Sequence, residues 1–430
     1  MKAALVSAAL LLSGMAEPAL AQQVDATAEI ETASDAPAFL PIVEISYSGN
    51  DVTRPQVLQR ELVIKPGDPA DPALIERSRQ GLLDLGLFRS VQVEEQAVDG
   101  GVRILFKLDE RYYLLPTPRF DAKSDGRYTY GAQLAWSNVG GRNHSLRAYI
   151  EQEETQREGV GKETAYAARY VAPFAFGSPY ALSVSGSYLT RPVRREDVEF
   201  EESFRNTSVG VSRTFSDGAA SQGLTLGGGL GLRQQRTSGA AALPAYGTAI
   251  APSVFVSYRD FHYRVYSDVG EFTSLGASFA DEDMGSDYNF VDLNTTFVRQ
   301  YAVGNTEHQT LHFKAYAGAY FNGPDEVEAY ALGGASNLRS YEVNFLEGNA
   351  YYYVTAEFAR PVWKRWLRAV VMIEAGNVFA RPEDMDFDEI YGSIGAGLRF
   401  RFTHFVNLEI EVGYALPLNG GSGRVFAGGI

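Results

Sequence analysis

Two stretches of this 430-residue chain carry charges that need a partner. The first is Gly333-Gly334-Ala335-Ser336-Asn337-Leu338-Arg339-Ser340-Tyr341, and the second is Val371-Met372-Ile373-Glu374-Ala375-Gly376-Asn377-Val378-Phe379. Glu374 sits mid-strand in an apolar run, on the phase that turns away from lipid. An ionised carboxylate in such a place costs free energy unless it is paired. Arg339 is the best partner, because a guanidinium offers a two-pronged fork to a carboxylate. The alternative is a solvated loop arginine and an unrelated glutamate facing an aqueous interior.

Six more charges fall on the same inward phase: Lys314, Glu357, Arg399, Arg401, Glu409 and Glu411. A polar lumen accounts for them without any special role; a direct part in handling a substrate is the sharper alternative. No catalytic residue, cofactor or metal site is expected. The five histidines, His144, His262, His308, His312 and His404, have no metal-ligand spacing. Gly159 to Thr164 lacks the spacing of a phosphate-binding loop, and no Gly-x-Ser-x-Gly elbow occurs. The absence of cysteine excludes disulfides and thiolate metal sites. A barrel-embedded protease or lipase built from dispersed residues is left open.

The elements that must position these charges are strands. In 405–415, Val406, Leu408, Ile410, Val412 and Tyr414 alternate with Asn407, Glu409, Glu411 and Gly413. In 391–402, Ile394, Ala396, Leu398, Phe400 and Phe402 alternate with Ser393, Gly395, Gly397, Arg399 and Arg401. In 310–320, Leu311, Phe313, Ala315, Ala317 and Ala319 alternate with His312, Lys314, Tyr316 and Gly318. Sixteen such strands are expected, at about 112–121, 126–137, 143–153, 162–173, 179–190, 199–215, 222–236, 248–260, 269–281, 286–301, 307–320, 349–361, 365–376, 390–402, 405–416 and 422–430. Long strands of period two in this number suit a closed antiparallel transmembrane β-barrel, with lipid outside and a polar lumen. The gap 321–348 is long, and Leu338, Tyr341, Val343, Phe345 and Leu346 make it too apolar for a solvated loop. It is expected to fold back into the lumen.

Composition agrees. Tyr and Phe number 25 each and Gly 43, and no apolar run past residue 21 reaches the ~18 residues of a membrane helix. Lys2, the apolar run Ala3–Leu12 and Ala19-Leu20-Ala21 read as a signal peptide over 1–21, so the chain is expected to be exported to a bacterial envelope. Residues 22–38 read as a disordered acidic leader. Residues 39–110 read as a small α/β domain in the order strand, helix, helix, strand, strand. Asp51 or Thr53 is expected to cap its first helix, which runs to Leu62, and Asp71-Pro72 to open its second, which Gly86 stops. The barrel would then occupy 111–430. A net charge of −15 argues against a nucleic-acid partner.

Taken together, these residues resemble the BamA/TamA superfamily of outer-membrane assembly and translocation proteins, in which periplasmic POTRA domains precede a 16-stranded surface-antigen barrel. The segment 39–110 looks like one POTRA domain, including Leu85-Gly86-Leu87-Phe88 ahead of Val91-Gln92-Val93. Leu338-Arg339-Ser340-Tyr341 after Gly333-Gly334 is similar to the family's Val-Arg-Gly-Tyr motif in its long sixth loop. Met372-Ile373-Glu374-Ala375-Gly376-Asn377 is similar to its Phe-x-Asp-Ala-Gly-Asn strand. The resemblance implies a loop-to-barrel latch made by Arg339, Glu374, Tyr341, Gly333 and Gly334. Four departures stand out. Ser340 replaces the motif glycine and Glu374 the motif aspartate. The chain reads Gly428-Gly429-Ile430 where such barrels end in an aromatic, so either Phe426 serves or the closing strand pairs weakly. One POTRA domain is expected where better-known members carry more.

The resemblance further implies insertion of outer-membrane proteins through a lateral seam between 112–121 and 422–430. The alternatives are a polypeptide translocator of the two-partner-secretion kind, or a passive porin or receptor barrel. The implied partners are outer-membrane lipids, client outer-membrane or secreted polypeptides, and periplasmic proteins at the POTRA domain. There, a partner strand could add to the sheet edge, or the domain could be a spacer.

Overall fold

A computed structural model describes residues 39–122, 128–154, 163–195, 198–239, 247–324, 329–406 and 408–429. The expected signal peptide (1–21), the acidic leader (22–38) and Ile430 lie outside these residues. The N-terminal domain runs β1 (Ile42–Ser48), α1 (Pro55–Gln59), α2 (Pro72–Asp84), β2 (Phe88–Val98) and β3 (Gly101–Glu110), the expected order. β3 is central, parallel to β1 and antiparallel to β2. Both helices cover one face, where Leu58, Ile75, Leu82, Phe88, Ile104 and Phe106 form the core.

Helix α2 begins as its sequence dictates: Asp71 Oδ1 accepts the Ala73 N–H at 2.8 Å and Pro72 fills the first turn. Gly86, at φ +68°, follows its end. Helix α1 departs from expectation. Its N-cap is Arg54, with no side-chain cap, and it stops at Gln59. Pro55 fixes the start, and Thr53 is engaged elsewhere. The Thr53 N–H donates to Glu110 at 2.7 Å, and its hydroxyl accepts from Asn138 at 2.8 Å.

Beyond this domain, β4 (Leu114–Ala122), β5 (Tyr128–Val139), β6 (His144–Glu154), β7 (Glu163–Ala172), β8 (Tyr180–Arg195) and β9 (Val198–Phe215) follow one another. Next come β10 (Gly223–Gly239), β11 (Thr248–Tyr263), β12 (Asp268–Ala280), β13 (Phe290–Ala302) and β14 (Thr310–Phe321). After the short hairpin β15 (Tyr330–Leu332) and β16 (Leu346–Gly348), the chain ends with β17 (Ala350–Trp363), β18 (Leu367–Phe379), β19 (Tyr391–Phe402), β20 (Leu408–Pro417) and β21 (Arg424–Gly429). Without the hairpin, these make one sixteen-stranded sheet in which every neighbouring pair is antiparallel and β14 pairs with β17 across the long loop.

Alternation decides what each face meets. On β18, Val371 and Ile373 are 53% and 51% exposed, while Met372 and Glu374 are 2% and 1%. The apolar set faces outward to lipid and the polar set inward. Arg401 on β19 reaches Asp268 on β12 at 2.7 Å, so the sheet rolls around an interior. Among the described residues the expected closure is not seen: β4 and β21 are the two edges of the sheet, with no ladder between them. β21 spans six residues, and β4 carries Pro116 and Pro118, which lack N–H donors.

The small domain sits against turns at one end of the sheet. The Glu61 carboxylate accepts the Ser221 N–H at 3.1 Å and its hydroxyl at 2.8 Å. Asp84 accepts the Tyr263 N–H and lies 2.9 Å from His262 Nδ1. Val406, after β19, packs into the small domain's own core.

Candidate functional site

The segment between β15 and β16 folds into the interior, as its apolar composition requires. Leu338 is fully buried and packs with Leu332, Tyr341 and Tyr353. Gly333, at φ +121°, could not bear a side chain: its Cβ would lie 2.1 Å from the Glu342 carbonyl oxygen. Gly334 is also at positive φ, +115°, with Val343 3.2 Å from its Cβ position. Asn337 Oδ1 closes the turn by accepting the Gly333 N–H at 2.7 Å.

This turn delivers Arg339 to the wall, 6% exposed. Its guanidinium does not pair chiefly with Glu374, as the sequence suggested. Nη2 lies 2.8 Å from Glu357 Oε1, whereas the nearest approach to Glu374 is Nη1 to Oε1 at 3.6 Å. Glu374 instead accepts the backbone N–H of Arg339 at 2.8 Å and the Tyr353 hydroxyl at 2.7 Å. The reason is register. Glu357 on β17 lies directly across from Met372, and Glu374 across from Thr355. The two carboxylates are thus staggered along the wall, one at the level of the guanidinium and the other at the level of the peptide.

The remaining inward charges continue the cluster. Glu357 also binds Arg399 at 2.7 Å, and Arg399 Nε donates to Glu411 at 2.6 Å. Arg401 pairs with Asp268 at 2.7 Å and with Glu409 at 2.8 Å, and Arg368 reaches Glu409 at 3.1 Å. Four arginines thus face five carboxylates, a nearly compensated network. Lys314 stands beside it, lining a cavity of about 260 Å³ with Arg111, Asp268 and Arg368. Buried charges of this kind persist only when paired and hydrogen-bonded.

Ser340, in the place of the motif glycine, finds a partner in Ser393: the two hydroxyls are hydrogen-bonded, and the Ser340 N–H donates to Ser393 Oγ at 3.3 Å. The Tyr341 hydroxyl donates to the Gly392 carbonyl at 3.2 Å, and its ring stacks on Phe345 at 4.5 Å. The loop also touches the last strand. Arg424 on β21 donates to the Tyr341 carbonyl, and the Arg339 guanidinium lies 5.4 Å from the Phe426 ring centre. Sequence reasoning missed Arg368, Tyr353, Ser393 and Phe426 as members of this site. Only the inward phase of Arg368, Tyr353 and Ser393 could have pointed to them.

The arrangement holds a loop against β17–β19 and β21. Two family descriptions match the chain: a surface antigen variable number repeat, or POTRA domain, over residues 41–111, and an Omp85 superfamily domain over 138–424, more than half of the chain. Curated relatives include the outer membrane protein assembly factor BamA of Neorickettsia risticii, 38% identical over 64 residues, and that of Nitratidesulfovibrio vulgaris, 33% over 105. These matches cover 15% and 24% of this chain and only 9% and 12% of the relatives' own length. Similar solved structures include BamA from Haemophilus ducreyi lacking POTRA domains 1–3, with TM-score 0.52 and 16% identity over 90% of this chain and 82% of that one. CdiB from Escherichia coli gives TM-score 0.63 and 14% identity, over 91% and 75%. CdiB from Acinetobacter baumannii gives 0.58 and 12%, over 89% and 71%. At these identities the solved structures speak for the fold.

Proposed function

This chain belongs to the Omp85 superfamily, an outer-membrane barrel with a periplasmic POTRA domain, and from that premise we propose that it inserts client polypeptides into the outer membrane through the seam between β4 and β21. The observation that carries this is the seam, where no ladder joins β4 to β21 among the described residues. A free strand edge offers a row of unsatisfied N–H and C=O groups, and a client strand can pair with it. The lipid-facing side strands already satisfy one another, so the seam is where an incoming strand gains most. In the β-barrel class, every backbone group in lipid must eventually be paired, which favours capture of a client strand over an open edge.

The loop carrying Arg339 acts in this scheme as a latch. It holds β17, β18 and β19 through Glu357, Glu374 and Ser393, and it touches β21 through Arg424 and Phe426. The wall beside the seam stays fixed while a client strand enters between β21 and β4. Periplasmic partners would add a strand to an edge of the POTRA sheet, where β1 and β2 are the outer strands.

The chain has no cysteine, so an introduced pair is unambiguous. One cysteine at Thr117 is combined in turn with cysteines at Val425 and Ala427, and client insertion is measured oxidised and reduced. Insertion is expected to stop on crosslinking and return on reduction. Insertion at the native rate through a fully crosslinked seam would sink the proposal.

A further inference from the structure

The half of the lumen away from the latch has a different character. Its inward face, on β6 to β10, is built largely from small residues, among them Ser185, Ser187, Ser208 and Gly231, and these leave a cavity of about 700 Å³. Four arginines line that cavity, Arg119, Arg147, Arg169 and Arg233, and no carboxylate does. Two of them reach acids at its margin: Arg119 pairs with Glu151 at 2.7 Å and Arg233 with Asp292 at 3.5 Å. The other two, Arg147 on β6 and Arg169 on β7, lie directly opposite one another in the ladder. Neither has a carboxylate partner among the described residues. Like charges facing across a strand pair are destabilising, so this pair repels itself unless a counter-charge joins it. Arg147 also lines the smaller cavity beside the latch with Arg111 and Lys314, whereas Arg368, Arg399 and Arg401 there are already paired with Asp268, Glu357, Glu409 and Glu411. Arg111, Lys314, Arg147 and Arg169, none with a carboxylate partner among the described residues, therefore line two cavities that share Arg147 and lead from the POTRA junction into the main lumen of a chain whose net charge is −15.

We propose that this wall is a binding site for an acidic, extended polypeptide segment. One-signed charge on a low-dielectric concave wall focuses the field and concentrates counter-charge. Guanidinium forks suit carboxylates. The hydroxyls of Ser185, Ser187 and Ser208 can hydrogen-bond a peptide backbone without excluding any particular side chain. The small residues between the arginines give width for a chain in place of a single ion. The inference stands whether or not the seam is the route of insertion.

The test is calorimetric titration of the full chain in detergent micelles with hexaglutamate, hexalysine and inorganic phosphate. Hexaglutamate is expected to bind, more weakly as salt rises, and hexalysine not to bind. The double variant Arg147→Gln/Arg169→Gln is expected to lose hexaglutamate affinity by at least about tenfold, while Arg147→Lys/Arg169→Lys retains most of it. A merely structural role predicts a lower unfolding temperature for the glutamine variant. Relief of the facing charges predicts an equal or higher one. Absence of hexaglutamate binding, or affinity unchanged in the glutamine variant, overturns the proposal. Phosphate binding as tight as hexaglutamate's, lost in the same variant, also overturns it and makes the site one for small anions.

Discussion

Arg339 grips two glutamates by two different groups, Glu357 with its guanidinium at 2.8 Å and Glu374 with its peptide N–H at 2.8 Å. A side-chain swap cannot reproduce that division. Reversing the charges in Arg339→Glu/Glu374→Arg would leave the new glutamate facing Glu357 and near Glu411. The double variant is therefore expected to be no more stable than the single ones. Urea unfolding in micelles, followed by the folded form's gel mobility, checks this, and recovery of native stability in the double variant would refute the arrangement.

The same geometry ranks the two carboxylates. Glu357 is bonded to two guanidiniums, those of Arg339 and Arg399, and is fully buried. Glu357→Gln leaves two buried arginines short of a charge and is expected to cost about 3–5 kcal/mol. Glu374→Gln loses an acceptor for neutral donors and is expected to cost about 1–3 kcal/mol. Equal losses, or the reverse order, in the same unfolding measurement would show that Glu374 is the main counter-ion after all.

The two loop glycines are not equivalent. Both sit at positive φ, but Gly333→Ala places a Cβ 2.1 Å from a backbone oxygen, while Gly334→Ala meets nothing closer than the Val343 side chain at 3.2 Å. The first substitution is expected to expose the loop to protease in intact cells and the second to do so weakly. A Gly334→Ala variant cleaved as fast as Gly333→Ala would contradict the packing described.

The POTRA junction carries a pH dependence. Burial lifts the Glu61 carboxyl from 4.5 to about 7, against the lowering effect of its hydrogen bonds from Ser221. A raised carboxyl binds its proton more tightly in the folded state. Its penalty is thus absent below about 4.5, grows as pH rises, and is complete above about 7. At most, the penalty is about 3 kcal/mol. Glu61→Gln is expected to match the native chain at pH 5 and to hold its POTRA domain more firmly at pH 8, read as protection of the domain from proteolysis. A variant less protected than the native chain at pH 8 would mean that the carboxylate is a favourable acceptor for Ser221.

How far the sequence reached follows from what each feature depends on. Strands are periodic locally, so alternation of residues such as Ile394, Ala396 and Leu398 located all sixteen within a few residues of their observed ends. The charge on Arg339 and the inward phase of Glu374 were equally legible. Glu357 as first partner was not, because it depends on the register of β17 against β18, a relation between two strands that neither encodes alone. The hairpin of β15 and β16, three residues each, is too short to alternate visibly. Thr53 was misread as a cap because its hydroxyl is claimed by Asn138, at the end of β5, 85 residues away in the chain.

The seam offers the last prediction. Pro116 and Pro118 are two apart in β4, so their nitrogens point to the same side of the strand. β4 pairs with β5 from Leu114 to Ala122 without a register shift. A proline nitrogen turned toward β5 would remove a donor from that ladder, so both are assigned to the open edge, where proline is tolerated in sheets. Two donors are then missing from the edge that β21 would have to meet, and β21 itself presents only six residues. Restoring the donors in Pro116→Thr/Pro118→Thr is expected to lengthen the ladder across the seam. The variant should resist urea better than the native chain and insert clients more slowly, since closure of the edge competes with client pairing. Crosslinking between cysteines on β4 and β21 should become faster in the same background. If stability, crosslinking rate and insertion are all unchanged, the prolines do not hold the seam open.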